Sequence, residues 1–207
     1  MSFKVIYILA QTLLRVFFRV CFNPKIQGKD NLIKDEGFVF SGNHKSNFDP
    51  LLLAAYLPKK INFLAKKELF SNRLLGWFLS GLGIIPITRN NVETGTLKKI
   101  IKLLRSRGSI LIFPQGTRKN TDVEKVKSGA VLFAIKGQVP IQPALITGEY
   151  KPSGNLKIIF GKPIYYTEYY NQKVTQQQLH QLSVELMRHI YSLSGEGDDS
   201  SNANSVS

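Results

Sequence analysis

Acidic residues are scarce in this chain: its 207 residues hold 14 Asp and Glu against 28 Lys and Arg, a formal net charge of +14 at pH 7. Cysteine is nearly absent. The single Cys21 excludes an intramolecular disulfide framework and a cysteine-built structural zinc site. The carboxylates are too few and too scattered to suggest a metal site. No glycine-rich dinucleotide turn follows a strand pattern, and no G-x-S-x-G nucleophile elbow is present. Neither a metal nor a bound redox cofactor is therefore expected. Long low-complexity tracts are missing too, which excludes wholesale disorder, collagen and coiled coil. With 43% hydrophobic residues and no internal linker, the length suits one globular domain.

A surface this basic suits an anionic partner: nucleic acid, anionic lipid or a phosphorylated substrate. Charge alone does not choose among them, because all three present phosphates. The sequence has no zinc-finger spacing, no recognition-helix signature and no aromatic-rich strand motif of RNA readers, so nucleic acid is not expected.

The N-terminus begins to choose. Residues 3–22, FKVIYILAQTLLRVFFRVCF, are mostly apolar. They end in large residues rather than the small ones of a signal-peptide cleavage site. Lys4, Arg15 and Arg19 interrupt what would otherwise be a spanning segment. At about 100° per residue, Lys4, Gln11, Thr12, Arg15 and Arg19 share one sector of roughly 100°. A wide apolar face with a narrow basic stripe predicts a helix lying in a membrane surface, with its cations toward lipid phosphates. A core helix with one wet edge and a single transmembrane anchor are the alternatives. The cytoplasmic face, with its anionic lipid, is the expected side.

Beyond it, strand and helix patterns alternate. Short apolar runs at 38–40, 61–65, 83–87, 109–113, 141–146 and 155–160 predict strands. The segments 50–57, 67–79, 92–107, 128–136 and 175–193 predict helices, the clearest being 92–107 with Leu97, Ile100, Ile101 and Leu104 on one face. That order gives an α/β domain with a mixed, largely parallel sheet flanked by helices. The organisation expected is a membrane-associating helix over 1–24, the α/β domain over 25–194 and a polar, disordered tail over 195–207.

Four segments hold possible chemistry. Asn43-His44-Lys45-Ser46-Asn47-Phe48-Asp49 follows a strand, where α/β sheets place their sites. Asp49, five residues after His44, can fix the imidazole tautomer and stabilise the imidazolium, which makes His44 a candidate general base. Taken alone, the pair reads equally well as a helix-capping Asp beside an incidental surface His. With no nucleophile motif in the chain, such a base suits transfer to a substrate hydroxyl. Arg89 ends the apolar run 83–87 and by itself reads as a surface arginine. Phe113-Pro114-Gln115-Gly116-Thr117-Arg118 ends another strand. There Gly116 permits close backbone approach, Thr117 offers a hydroxyl and Arg118 a fork for phosphate. Val139-Pro140-Ile141-Gln142-Pro143 brackets a strand with prolines and reads as structural.

These segments, in this order, resemble the glycerolipid acyltransferase family typified by 1-acyl-sn-glycerol-3-phosphate acyltransferases. The likeness runs from about Gly28 to Ile164. Its most specific parts are the N-H-x-S-x-x-D run and the F-P-x-G-T-R run about 70 residues later. It implies that His44, oriented by Asp49, takes the proton from the 2-hydroxyl of lysophosphatidate, which attacks an acyl-CoA or acyl carrier protein thioester to give phosphatidate. Arg118 and Arg89, helped by Lys66 or Lys67, would hold the acceptor's phosphate, with Gly116 and Thr117 shaping the pocket. Gln115 stands where the family usually has Glu. It would bond a substrate hydroxyl, or leave Arg118 less tethered than a carboxylate would. Other lysophospholipid or glycerol phosphate acceptors, and a catalytically silent membrane-binding relative, are the alternatives. The apolar residues 69–79 are expected in the core, or along an acyl groove.

Overall fold

The computed structural model describes residues 3–88, 93–120 and 122–202. Its strands send alternate side chains to opposite faces, and both faces are covered. In β2 (Phe38–Gly42), Phe38 and Phe40 join one core while Val39 joins the other. The same alternation recurs in β5 (Ser109–Ile112), β6 (Ile141–Thr147) and β7 (Lys157–Phe160). With β1 (Lys25–Gln27), β3 (Asn62–Lys66) and β4 (Ile85–Ile87) they form a sheet ordered β1-β7-β6-β2-β5-β3-β4. Five of the six pairings are parallel and only β6–β7 is antiparallel, as the expected largely parallel sheet requires. The short edge strand β1 carries no alternation a sequence pattern could register.

One face is covered by α4 (Thr94–Arg105), α5 (Gly129–Gly137) and α6 (Gln176–Asn202), the other by α1 (Phe3–Phe22) and α2 (Asp49–Tyr56). The expected helix at 67–79 is divided: a 3-10 turn (Lys67–Phe70) precedes α3 (Arg73–Gly81). The division falls at Asn72, whose side chain accepts from the Leu74 and Leu75 amides and so starts a new helix. α6 runs on to Asn202, past the boundary at 195 where a disordered tail is expected.

The outward face of α1 reverses the expected orientation of its polar stripe. Gln11 Nε2 donates to the carbonyls of Ala54 (2.8 Å) and Leu57 (2.9 Å), and Arg15 Nε donates to that of Ala55 (3.0 Å). These carbonyls end α2 and lack intrahelical partners, and the guanidinium also meets the negative end of the helix dipole. Phe18 follows them inward and is fully buried in the same core as α2, so residue 24 is not a packing boundary. Val5, Ile8, Leu9, Leu13, Val16, Phe17 and Val20 point out, with Leu13 71% and Val20 78% exposed. Arg19 and Thr12 are exposed on the flank, and the Lys4 side chain lies outside the described residues. The window Val5–Phe22 is long and apolar enough to cross a membrane.

Candidate active site

Because β6, β2, β5, β3 and β4 run parallel, their C-terminal ends share one edge of the sheet. The loop after β2 brings Asn43 and His44 there. The turn after β5 brings 113–118, the end of β6 brings Tyr150, and the end of β3 brings Lys66. Asn43 fixes the first loop. Its Nδ2 donates to the Ile146 carbonyl (2.9 Å) and its Oδ1 accepts from the Ile146 amide (2.7 Å), so the side chain extends the β2–β6 ladder by one pair.

His44 and Asp49 meet as expected. His44 Nδ1 lies 2.8 Å from Asp49 Oδ2. The same oxygen accepts the backbone N–H groups of Lys45 (2.6 Å) and Ser46 (2.7 Å), while Oδ1 accepts the Tyr150 hydroxyl (2.6 Å). Asp49 is fully buried, and four donors converge on its carboxylate. A carboxylate so placed accepts a hydrogen bond from Nδ1–H, which keeps that proton on Nδ1 and leaves Nε2 with its lone pair, the tautomer a base needs. The ring stacks on Phe113 at 4.1 Å between centroids and 10° between planes, which sets its plane. The imidazole is 18% exposed, enough for a substrate to reach. No serine, threonine or cysteine among the described residues hydrogen-bonds to it.

Sequence reasoning misses Tyr150. Desolvation by burial, then the hydrogen bond and charge of Asp49, push its hydroxyl well above the usual tyrosine range. Its ring sits among Phe22 (5.7 Å), Phe48 (5.7 Å) and Phe18 (6.5 Å), so the aromatic residues of α1 enclose the group that holds Asp49. The Glu-Tyr pair in the loop after β6 carries no motif, and 101 residues separate Tyr150 from its partner.

Gln115 is turned into the protein. It is only 5% exposed, and both ends of its amide bond to protein: Oε1 accepts the His44 amide (2.5 Å) and Nε2 donates to the Asn120 carbonyl (2.5 Å). Asn120 returns a bond to the Gln115 carbonyl (3.2 Å). Gln115 is thus a clip between the two motif loops, and neither its bond to a substrate hydroxyl nor an effect on Arg118 is part of its observed role. The next residues are open to solvent. Gly116 adopts φ +68°, a left-handed conformation, and a Cβ there would lie 3.1 Å from the Lys127 side chain. Thr117 and Arg118 are exposed, and Arg118 has no ion-pair partner among the described residues. Lys66 is exposed on the same sheet edge, and Lys67 is engaged with Glu93 (2.9 Å). Arg89 lies outside the described residues. Among the described residues, no three His, Cys, Asp or Glu side chains are grouped as a metal site needs.

Comparison with known proteins agrees with this arrangement. The Acyltransferase family model matches residues 23–147, which include every one of these loops up to the end of β6. The 1-acyl-sn-glycerol-3-phosphate acyltransferase of Bacillus subtilis is 36% identical over 162 residues, covering 75% of this chain and 81% of its own. That of Streptococcus pneumoniae is 37% identical over 138 residues, covering 63% of this chain and 51% of its own. The fold is that of the crystal structure of the 1-acyl-sn-glycerophosphate (LPA) acyltransferase PlsC from Thermotoga maritima, with a TM-score of 0.68 over 93% of this chain and 81% of that one, at 22% identity. A His-Asp pair set at the strand ends of this sheet, in a chain so matched, makes the protein a member of the acyltransferase family.

Proposed function

We propose that this acyltransferase transfers a fatty acyl group from a thioester to the 2-hydroxyl of 1-acyl-sn-glycerol-3-phosphate, forming phosphatidate. The observation that carries the reading is His44, held by Asp49 as a base and without a protein nucleophile beside it. His44 Nε2 takes the hydroxyl proton as the oxygen attacks the thioester carbonyl. The tetrahedral intermediate collapses, the C–S bond breaks and the thiolate recovers the proton from the imidazolium. No acyl-enzyme forms. Gly116, Thr117 and Arg118 lie on the turn that Gln115 ties to His44, which suits them to the acceptor's phosphate. Lys66, exposed at the end of β3, adds positive charge, and Arg89 is kept as a phosphate-holding candidate from the family resemblance alone. The donor is acyl-CoA or acyl carrier protein; no cofactor or metal takes part.

The protein works at the cytoplasmic face of a membrane, with the outward apolar face of α1 in lipid and its net charge of +14 drawn to anionic headgroups. The test is acyl transfer from labelled acyl-CoA to lysophosphatidate in mixed micelles, with His44→Ala beside the wild type. Loss of roughly 10²–10⁴-fold is expected, the usual contribution of a general base. An undiminished rate in the variant refutes the assignment.

A further inference from the structure

α3 is built as a core helix would be, yet it is not covered. Leu74 is 76% exposed and Trp77 62%, and Leu69, Leu75 and Phe78 are exposed beside them. We propose that α3 is a second membrane-embedded element, lying with α1 in the surface of an anionic bilayer. The inference rests on the lipid-facing reading of α1 and extends it to a part of the chain 50 residues further on.

Three observations name lipid as the occupant. First, the two apolar faces are continuous. The Phe3 ring meets Trp77 edge-on at 5.3 Å, and it approaches Gly81 so closely that a Cβ there would overlap it. The N-terminal end of α1 is thereby fastened to the C-terminal end of α3, and their exposed side chains form one surface. Second, the charges are arranged for headgroups. Arg73 begins α3 and Lys66 precedes it, both exposed. At its other end Lys60 Nζ reaches the Gly81 carbonyl (3.3 Å). Cations at both ends of an apolar helix complement phosphates around a lipid patch. Third, the composition is interfacial: a tryptophan and a phenylalanine among leucines, with the indole exposed where the two helices meet. The 3-10 turn and the new start at Asn72 give the segment its own axis, separate from the strand before it.

Trp77 is the only tryptophan in the chain, so its fluorescence reports on α3 alone. The experiment uses the full chain with vesicles of phosphatidylglycerol and phosphatidylcholine, with and without brominated acyl chains. Binding is expected to move Trp77 emission to the blue and to make it quenchable by the brominated lipid. Leu74→Asp is expected to weaken vesicle binding by roughly tenfold or more, the burial of one leucine being lost and a repelled charge added. It should leave the thermal melt unchanged, since the position is exposed. Turnover of a short-chain, monodisperse lysophosphatidate should also be unaffected. Co-sedimentation with vesicles while Trp77 stays silent overturns the proposal and leaves the lipid-facing reading of α1 intact. Absence of co-sedimentation overturns both. A blue shift that grows with protein concentration, without lipid, overturns it in favour of a second copy of the chain on the same patch. A Leu74→Asp variant that binds and is quenched like the wild type overturns it as well, because α1 alone then accounts for the position of Trp77.

Discussion

Replacing Tyr150 by Phe removes one oxygen and nothing else from the wall of the site. That oxygen donates to Asp49 Oδ1 at 2.6 Å, and Asp49 has no access to water. A hydrogen bond to a charged acceptor contributes about 1.5–3 kcal/mol. Without it the carboxylate charge is less dispersed, so Asp49 holds the His44 imidazolium more tightly. The loss is read as a fall in kcat/KM, since the carboxylate that orients His44 is no longer held on its Oδ1 side. The alkaline limb stays put, since burial and the neighbouring Asp49 carboxylate already push the Tyr150 hydroxyl far above the usual tyrosine range. The plateau rate falls by roughly tenfold, because the carboxylate is now fixed from one side only. The assay is initial-rate acyl transfer to lysophosphatidate in mixed micelles, followed by thiol release across the neutral pH range, with a thermal melt as control. A variant with the wild-type rate refutes the argument and reduces Tyr150 to packing.

Two further substitutions test the scaffold. Gln115→Glu keeps an acceptor for the His44 amide but sets an oxygen against the Asn120 carbonyl. A loss of about 1–3 kcal/mol follows, or a fall in Tm of roughly 2–10 °C, read by calorimetry; an unchanged Tm refutes the clip. Gln11→Leu strips the donor from the Ala54 and Leu57 carbonyls at the end of α2 and costs a similar amount. If the polar stripe of α1 faced lipid headgroups, the same change would leave the soluble melt unaltered.

Much of the sheet is legible in the sequence because its strands are buried on both faces and read as dense apolar runs, as at 38–40 and 141–146. The His44–Asp49 pair is legible because its partners are five residues apart, within reach of one turn. The partners that complete the site are not: Gln115 is 71 residues from His44 and Tyr150 is 101 from Asp49, and only the parallel ordering of β2, β5 and β6 brings them together. The helices show the other limit. Periodicity says which residues of α1 share a face but not which face meets the protein. What decides is the row of partnerless carbonyls ending α2, a demand from elsewhere in the chain that Gln11 and Arg15 satisfy. The same ignorance places 69–79 in the core, since an apolar stripe looks alike whether it packs on protein or stands outside it.

The aromatic contacts of α1 change what kind of part that helix is. A tether can be cut, lengthened or exchanged without altering the machine it holds. α1 cannot be handled in this way, because Phe18 and Phe22 pack on the ring whose hydroxyl bonds Asp49. Severing it would open the wall of the proton-accepting site. Its sequence therefore answers to two masters, one helical face to the surroundings of the protein and the other to the geometry of its own base. Changes to the helix are therefore tolerable on its outer face, at Leu13 or Val20, and deletion is not.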